Sequence, residues 1–147
     1  MVIEPVTSYA EAARRHLVDA EMLFTGNRKA NAGQLYGFVT ECGMKALLIA
    51  CKVPADGDGG IARNHRLRAH VPLLWDRIVF DGSLIPDGLL STKYMAMIGS
   101  VACLNDWSVD HRYWRESALP ISSVAAWRNA AQDVGKMLDQ AKEDGVL

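Results

Sequence analysis

The sequence predicts an all-α fold, an antiparallel up-and-down bundle of four to five helices. Apolar residues recur at three- and four-residue steps in five separate stretches, the period of one buried helix face. No stretch alternates apolar and polar residues as a half-buried strand does. Only a few residues join the first two helical stretches, which forces them to be antiparallel neighbours. With 147 residues the chain is sized for one domain, 1–147, and for a core that needs no disulfide or metal staple.

Each element has its own signals. Ser8-Tyr9-Ala10-Glu11 reads as a capping box, and Tyr9, Ala13, His16, Leu17, Ala20, Leu23 and Phe24 follow as a stripe until Gly26-Asn27 stops the helix. The second helix runs from near Arg28 to about Lys52, ahead of Pro54, with Leu35, Val39, Cys42, Ala46 and Ile49 on one face. Val53 to Asn64 reads as a flexible linker. Its glycines lack the Gly-Lys-Ser/Thr of a phosphate loop, and Asp56 and Asp58 lack the glutamate that closes a calcium loop. Pro72 fits a first turn, so a third helix is expected from near Ala69, with Val71, Leu74, Trp75 and Ile78 inward, to the break at Phe80–Ser83. Pro86-Asp87 opens a fourth, whose face is Leu90, Tyr94, Met97, Ile98, Val101 and Leu104, ending at Asn105-Asp106. A loop from Trp107 to Arg115 follows. Pro120 opens the last helix, with Ile121, Val124, Trp127, Ala131, Val134, Leu138 and Ala141 inward and a fraying end at Asp139–Asp144.

Composition narrows the function classes. A net charge of -1 gives no global attraction for nucleic acid, so any such binding needs a local patch. Cys42, Cys51 and Cys103 are odd in number and lack CxxC spacing, which suits buried thiols in a reducing compartment. The start Met-Val-Ile-Glu-Pro has no leader pattern, and the longest apolar run, Ala46–Cys51, is too short to span a bilayer. The expected setting is cytoplasmic, with no membrane and no cofactor.

Two clusters carry chemistry. Arg63, His65, Arg66, Arg68 and His70 fall within eight positions, and His111, Arg112 and Arg115 interleave with Trp107, Tyr113 and Trp114. Arginine forks suit phosphate and aromatic faces suit bases. The competing reading has these arginines capping helices and pairing with Glu41, Asp106, Asp110 or Glu116 while the tryptophans plug the bundle end. His65 and His70 match no metal-ligand spacing, so no metal site is expected. Glu41 and Lys45, four apart at the flank of the second helix's stripe, are either a solvated pair or two heads aimed at another segment.

Taken in order, these pieces resemble the HEPN family of helical nucleotide-binding domains. The resemblance rests on Ala12-Ala13-Arg14-Arg15-His16-Leu17-Val18-Asp19-Ala20-Glu21-Met22-Leu23, on Glu41-Cys42-Gly43-Met44-Lys45-Ala46-Leu47-Leu48, on His65-Arg66-Leu67 and on Trp107 leading to Arg112-Tyr113. It covers nearly the whole chain. It implies a helical bundle that pairs as a homodimer, found in toxin–antitoxin and defence systems, often beside a nucleotidyltransferase partner. It also implies binding of nucleotide, RNA phosphate or a protein partner. Glu41, Lys45, His65, Trp107, Arg112 and Tyr113 would form the binding set, with Glu41, Lys45, His65 and Arg112-Tyr113 gathered near one end of the bundle. Many members are metal-independent RNases whose signature is an arginine followed after four to six residues by a histidine. No histidine follows Arg112, whereas Arg63 has His70 after six intervening residues. The catalytic alternative therefore rests on Arg63 and His70, or on Arg112 with a histidine from elsewhere in the fold. The third alternative is a structural interaction module without ligand.

Overall fold

The structure, a computed structural model, describes residues 3–147. Met1 and Val2, the start of the stretch read for a leader, lie outside the described residues. Among these the regular structure is helical: α1 (Tyr9–Thr25), α2 (Lys29–Ala50), α3 (Leu73–Phe80), α4 (Gly88–Met95) and α5 (Val124–Glu143), with short 3-10 turns between α3 and α5. No described helix is long and apolar enough to cross a membrane.

Ser8 caps α1 as expected, its hydroxyl accepting the Glu11 N–H at 3.3 Å. Asn27, in the left-handed region at φ 60°, turns the chain back into α2. Contacts then fix the direction of each leg. Asp87 donates its backbone N–H to the Cys51 carbonyl at the foot of α2, and Trp107 reaches the Gly33 carbonyl near its head. The chain between them, α4 and the 3-10 stretch Gly99–Asp106, therefore climbs antiparallel to α2. It also runs antiparallel to α5: Tyr94 bonds Asp144, Ser100 bonds Asp133, and Asp106 meets Ser123 and Trp127. The result is four legs, up, down, up and down, with α3 set beside them.

The third leg departs from the expected single helix. It is α4, a break at 96–98, and then 3-10 turns. Of its expected inward face Tyr94, Ile98, Val101 and Leu104 are buried all the same, whereas Met97, at the break, is turned out to solvent. α3 begins at Leu73 rather than near Ala69, with Pro72 at its N-cap, because a proline and the residue before it resist the helical interior. α5 begins at Val124, after a separate 3-10 turn at Ile121–Ser123, and Ile121 is exposed.

α2 is the centre. It buries residues on every side, including Ala32, Tyr36, Val39, Met44 and Leu47, and not only the single face that the stripe suggested. Glycines make this possible. A Cβ at Gly43 would lie 2.1 Å from Val134, and one at Gly37 only 1.9 Å from the Trp107 ring, so both neighbours sit directly on the α2 backbone. α1, α2 and α5 are further braced by one polar knot. Glu21 accepts both arms of Arg128, at 2.9 and 2.8 Å, and the Tyr36 hydroxyl at 2.7 Å. The Arg128 fork and the Tyr36 hydroxyl hold the Glu21 carboxyl below its ordinary range, while burial pushes the Tyr36 phenol up.

Two expected mobile segments are tied down instead. Residues 53–64 fold into a compact loop: Ala55 bridges Ile61, Asp58 accepts the Gly60 N–H, Tyr9 accepts the Ile61 N–H, and Val53 and Ile61 are buried. The end of α5 is held by Asp144, which accepts from the Tyr94 hydroxyl at 2.6 Å, Lys93 at 3.0 Å and Gln140 at 2.9 Å. These bonds hold the Asp144 carboxyl down to about 2. Its folded value lies below the unfolded one, so the clamp is intact above the ordinary carboxylate range and is lost as pH falls through about 2. Amide exchange at 144–147 should therefore accelerate in acid well before the core opens, and Asp144→Asn should show that fast exchange already at neutral pH.

Candidate functional site

Glu41 and Lys45 are neither solvated nor idle. Both are buried, at 6 % and 7 % exposure, and Lys45 Nζ donates to Glu41 Oε2 at 3.1 Å. The other carboxylate oxygen lies 2.8 Å from Nδ1 of His70. Lys45 also sits 5.8 Å above the Tyr9 ring, and Tyr9 in turn holds the 53–64 loop through Ile61. More than half of the His70 side chain is exposed. The group is thus a buried carboxylate anchoring a solvent-facing imidazole, with a buried ammonium alongside. Such a carboxylate fixes ring orientation in proton-transfer sites.

The expected partner His65 is elsewhere. Its Nδ1 accepts the Leu67 N–H at 3.1 Å, a local turn contact, and His70 takes the place by Glu41. The arginines nearby divide. Arg68 donates to the Ile61 carbonyl at 2.9 Å and lies 3.6 Å from Asp56, while Arg66 lies 3.6 Å from Asp81. Arg68 is thus spent largely within the fold, while most of the Arg66 side chain stays exposed. The exposed Arg63 forms no ion pair among the described residues.

Arg112 and Tyr113 do not join this cluster. Their 3-10 turn, Val109–Tyr113, docks near the head of α2, where Gln34 donates to the Val109 carbonyl at 3.2 Å. From Gly33 to Lys45 is about 18 Å along a helix, so the single expected cluster is two separate places on α2. Trp107 anchors the second one. Its ring is buried over Gly37, its Nε1 donates to Gly33 O at 3.0 Å, and Phe38 packs edge-on at 5.6 Å. Trp107 is therefore a fastening, not a contact surface.

What it fastens is open to solvent. Tyr113 is 75 % and Trp114 47 % exposed. The Arg112 guanidinium stacks 4.8 Å from the Tyr113 ring centre. Arg112 and Arg115 are exposed and form no ion pair among the described residues. Beneath them His111 is buried, its ring stacked on Trp127 at 5.8 Å and meeting Trp114 at 4.5 Å. Burial lowers the His111 pKa, against the opposing pull of Asp106 and Asp110.

Family models, curated proteins and solved structures were compared with this chain, and none matches.

A groove of about 480 Å³ adjoins the same region, lined by Asn27, Arg28, Lys29, Asn31, Glu116 and Leu119 among others. Sequence reasoning missed it. The available signal was the head of α2, where Arg28 occupies the N-cap without a side-chain cap. Trp114 was read as part of a cluster but not as its exposed face. None of the three thiols is poised as a thiolate: Cys51 is buried, Cys42 and Cys103 half-buried, and desolvation first of all pushes Cys42 and Cys51 up to about 11.

Proposed function

We propose that the chain is a HEPN-like module that binds the phosphates of single-stranded RNA or a nucleotide through the Arg112–Arg115 segment. The observation that carries this reading is a single short segment in which two arginines without ion pairs flank two adjacent exposed aromatic rings, held on a rigid base by buried Trp107. Exposed guanidinium forks take phosphate oxygens in bidentate fashion, and exposed rings stack bases without regard to sequence. Arg28 and Lys29 in the adjoining groove, against the single carboxylate of Glu116, add positive charge, which a net charge of -1 does not supply globally. The order of motifs along the chain supports the HEPN-like assignment. It adds a second copy of the chain and a nucleotidyltransferase partner to the proposal, within a toxin–antitoxin or defence setting.

Fluorescence anisotropy with a labelled single-stranded RNA tests this. The Arg112→Ala, Arg115→Ala double variant should bind about tenfold or more weakly, at roughly 1 kcal/mol or more for each charge-assisted pair lost. Unchanged affinity in a folded double variant would count against the segment.

A second reading, metal-independent RNA cleavage, is favoured by one contact, the 2.8 Å bond from Glu41 to His70. A carboxylate-held imidazole facing solvent can take the proton of a 2′-hydroxyl, and Arg63, with six residues between it and His70, could neutralise the phosphate. On this reading purified protein in EDTA yields 2′,3′-cyclic phosphate ends, and His70→Gln loses them while keeping the RNA affinity.

A further inference from the structure

We infer that His111 is a latch for the Arg112–Arg115 segment, closed when its imidazole is neutral and released when it takes a proton. The inference rests on the binding role proposed for that segment and gives its regulation. His111 is 6 % exposed, and its Nε2 has no hydrogen-bond partner. Gln34 Oε1, on the stretch of α2 that holds Val109, is buried without a partner as well. The imidazole is the floor of the segment: it stacks on Trp127 from α5, meets Trp107 at 6.4 Å and carries Trp114 at 4.5 Å.

A neutral ring with one bare nitrogen tolerates such an aromatic cage. An imidazolium has two N–H donors and a full charge, and a buried charge without a partner is among the costliest groups a fold can hold. The charged groups acting on the ring are Asp106 and Asp110, from its own side of the contact. Asp106 is already engaged by the Trp127 indole and the Ser123 hydroxyl. α2 and α5 present the uncharged Gln34, Trp107-bearing glycines and Trp127 to this region. Burial outweighs the two carboxylates, so the ring's pKa falls below 6.5 in the closed state. The sign follows: the open segment binds the proton more readily than the closed one, and closure weakens as pH falls below that ordinary value.

The opposite trend is what electrostatics alone requires. Protons taken up in acid elsewhere on the protein add positive charge and would tighten binding to a polyanion. The test measures RNA anisotropy at constant ionic strength from pH 7.5 to 5, with acrylamide quenching of Trp114, taken as the difference between wild type and Trp114→Phe. The wild type should bind more weakly at the acid end, by about tenfold. His111→Phe, which cannot titrate, should bind equally or more tightly there. Quenching of Trp114 should rise over the same range in wild type alone. Equal acid tightening in both proteins, or Trp114 quenching that ignores pH, overturns the latch. Absence of RNA binding at pH 7.5 and low salt overturns the binding role instead, and the quenching arm then judges the latch by itself. If His111→Phe does not fold, the wild-type imidazole is titrated by NMR. A midpoint at or above 6.5, or one uncoupled from the Trp114 indole resonance, overturns the proposal.

Discussion

Gly37→Ala should be one of the most damaging single-atom changes this chain can suffer. In an open helix the exchange gains up to about 1 kcal/mol from propensity. Here the new Cβ would lie 1.9 Å from Trp107 Cε2 and 2.2 Å from Nε1, far inside contact distance. The ring cannot slide aside, because its Nε1 is held by Gly33 O and Phe38 packs against it. Overpacking of this kind costs about 1–3 kcal/mol or more, which is roughly 2–12 °C in Tm for a chain of this size. Trp107→Ala attacks the same joint from the other side and should cost about 3–5 kcal/mol. Gly88→Ala is the control: nothing lies within 4 Å of that position, so thermal unfolding should show no loss. A Gly37→Ala protein as stable as wild type would mean that Trp107 does not sit on α2.

Lys45→Met should cost at least as much as Gly37→Ala, for an electrostatic reason. Lys45 and Glu41 are both 8 % exposed at the side chain, so removing the ammonium leaves a carboxylate in a closed site with only His70 to answer it. Breaking a buried pair by removing one partner costs about 3–5 kcal/mol, whereas replacing both by apolar groups is often neutral. The double variant Glu41→Leu, Lys45→Met should accordingly recover much of the loss in urea unfolding. Additive losses across this cycle would show that the two side chains do not act as a pair. The His70→Ala exchange should cost less than Lys45→Met, because its ring is 57 % exposed and water replaces it.

The bundle was legible because burial here follows spacing. The stripes on the first, second and last helices mark residues that the structure buries, among them Ala13, Ala20, Val39, Ala46, Trp127, Val134 and Leu138. Spacing could not tell that α2 is surrounded. Its glycines look like weak helix residues in a sequence, and only the neighbours seated on Gly37 and Gly43 reveal them as contact points. The third leg kept its apolar period while its winding changed, since 3-10 and α turns place neighbouring apolar residues on nearly the same face over a short run.

The polar groups were harder to read. The sequence placed Glu41 and Lys45 at the edge of a stripe, and the family resemblance grouped them with His65, leaving His70 to the catalytic alternative. The choice of His70 over His65 depends on where α3 starts, and Pro72 delays that start by several residues. The same limit explains why one expected cluster became two. Helix spacing puts residues on a face, but it does not set where along α2 a later loop docks. Trp107 makes that choice by fitting the bare backbone at Gly33 and Gly37, and so carries Arg112 and Tyr113 to the head of the helix, away from Glu41. The Asp144 clamp and the folded 53–64 loop show a further gap, because polar and glycine-rich segments look alike in sequence whether or not side chains elsewhere hold them.

The salt dependence of RNA affinity tests the central claim most directly. For single strands, log K falls with log salt by about 0.7 for each phosphate neutralised. Wild type should show a clear negative slope, and the Arg112→Ala, Arg115→Ala variant should flatten it by about 1.4 while keeping its thermal stability. A wild-type slope that the double variant leaves unchanged, or no binding at low salt, would contradict a phosphate-binding role for this segment.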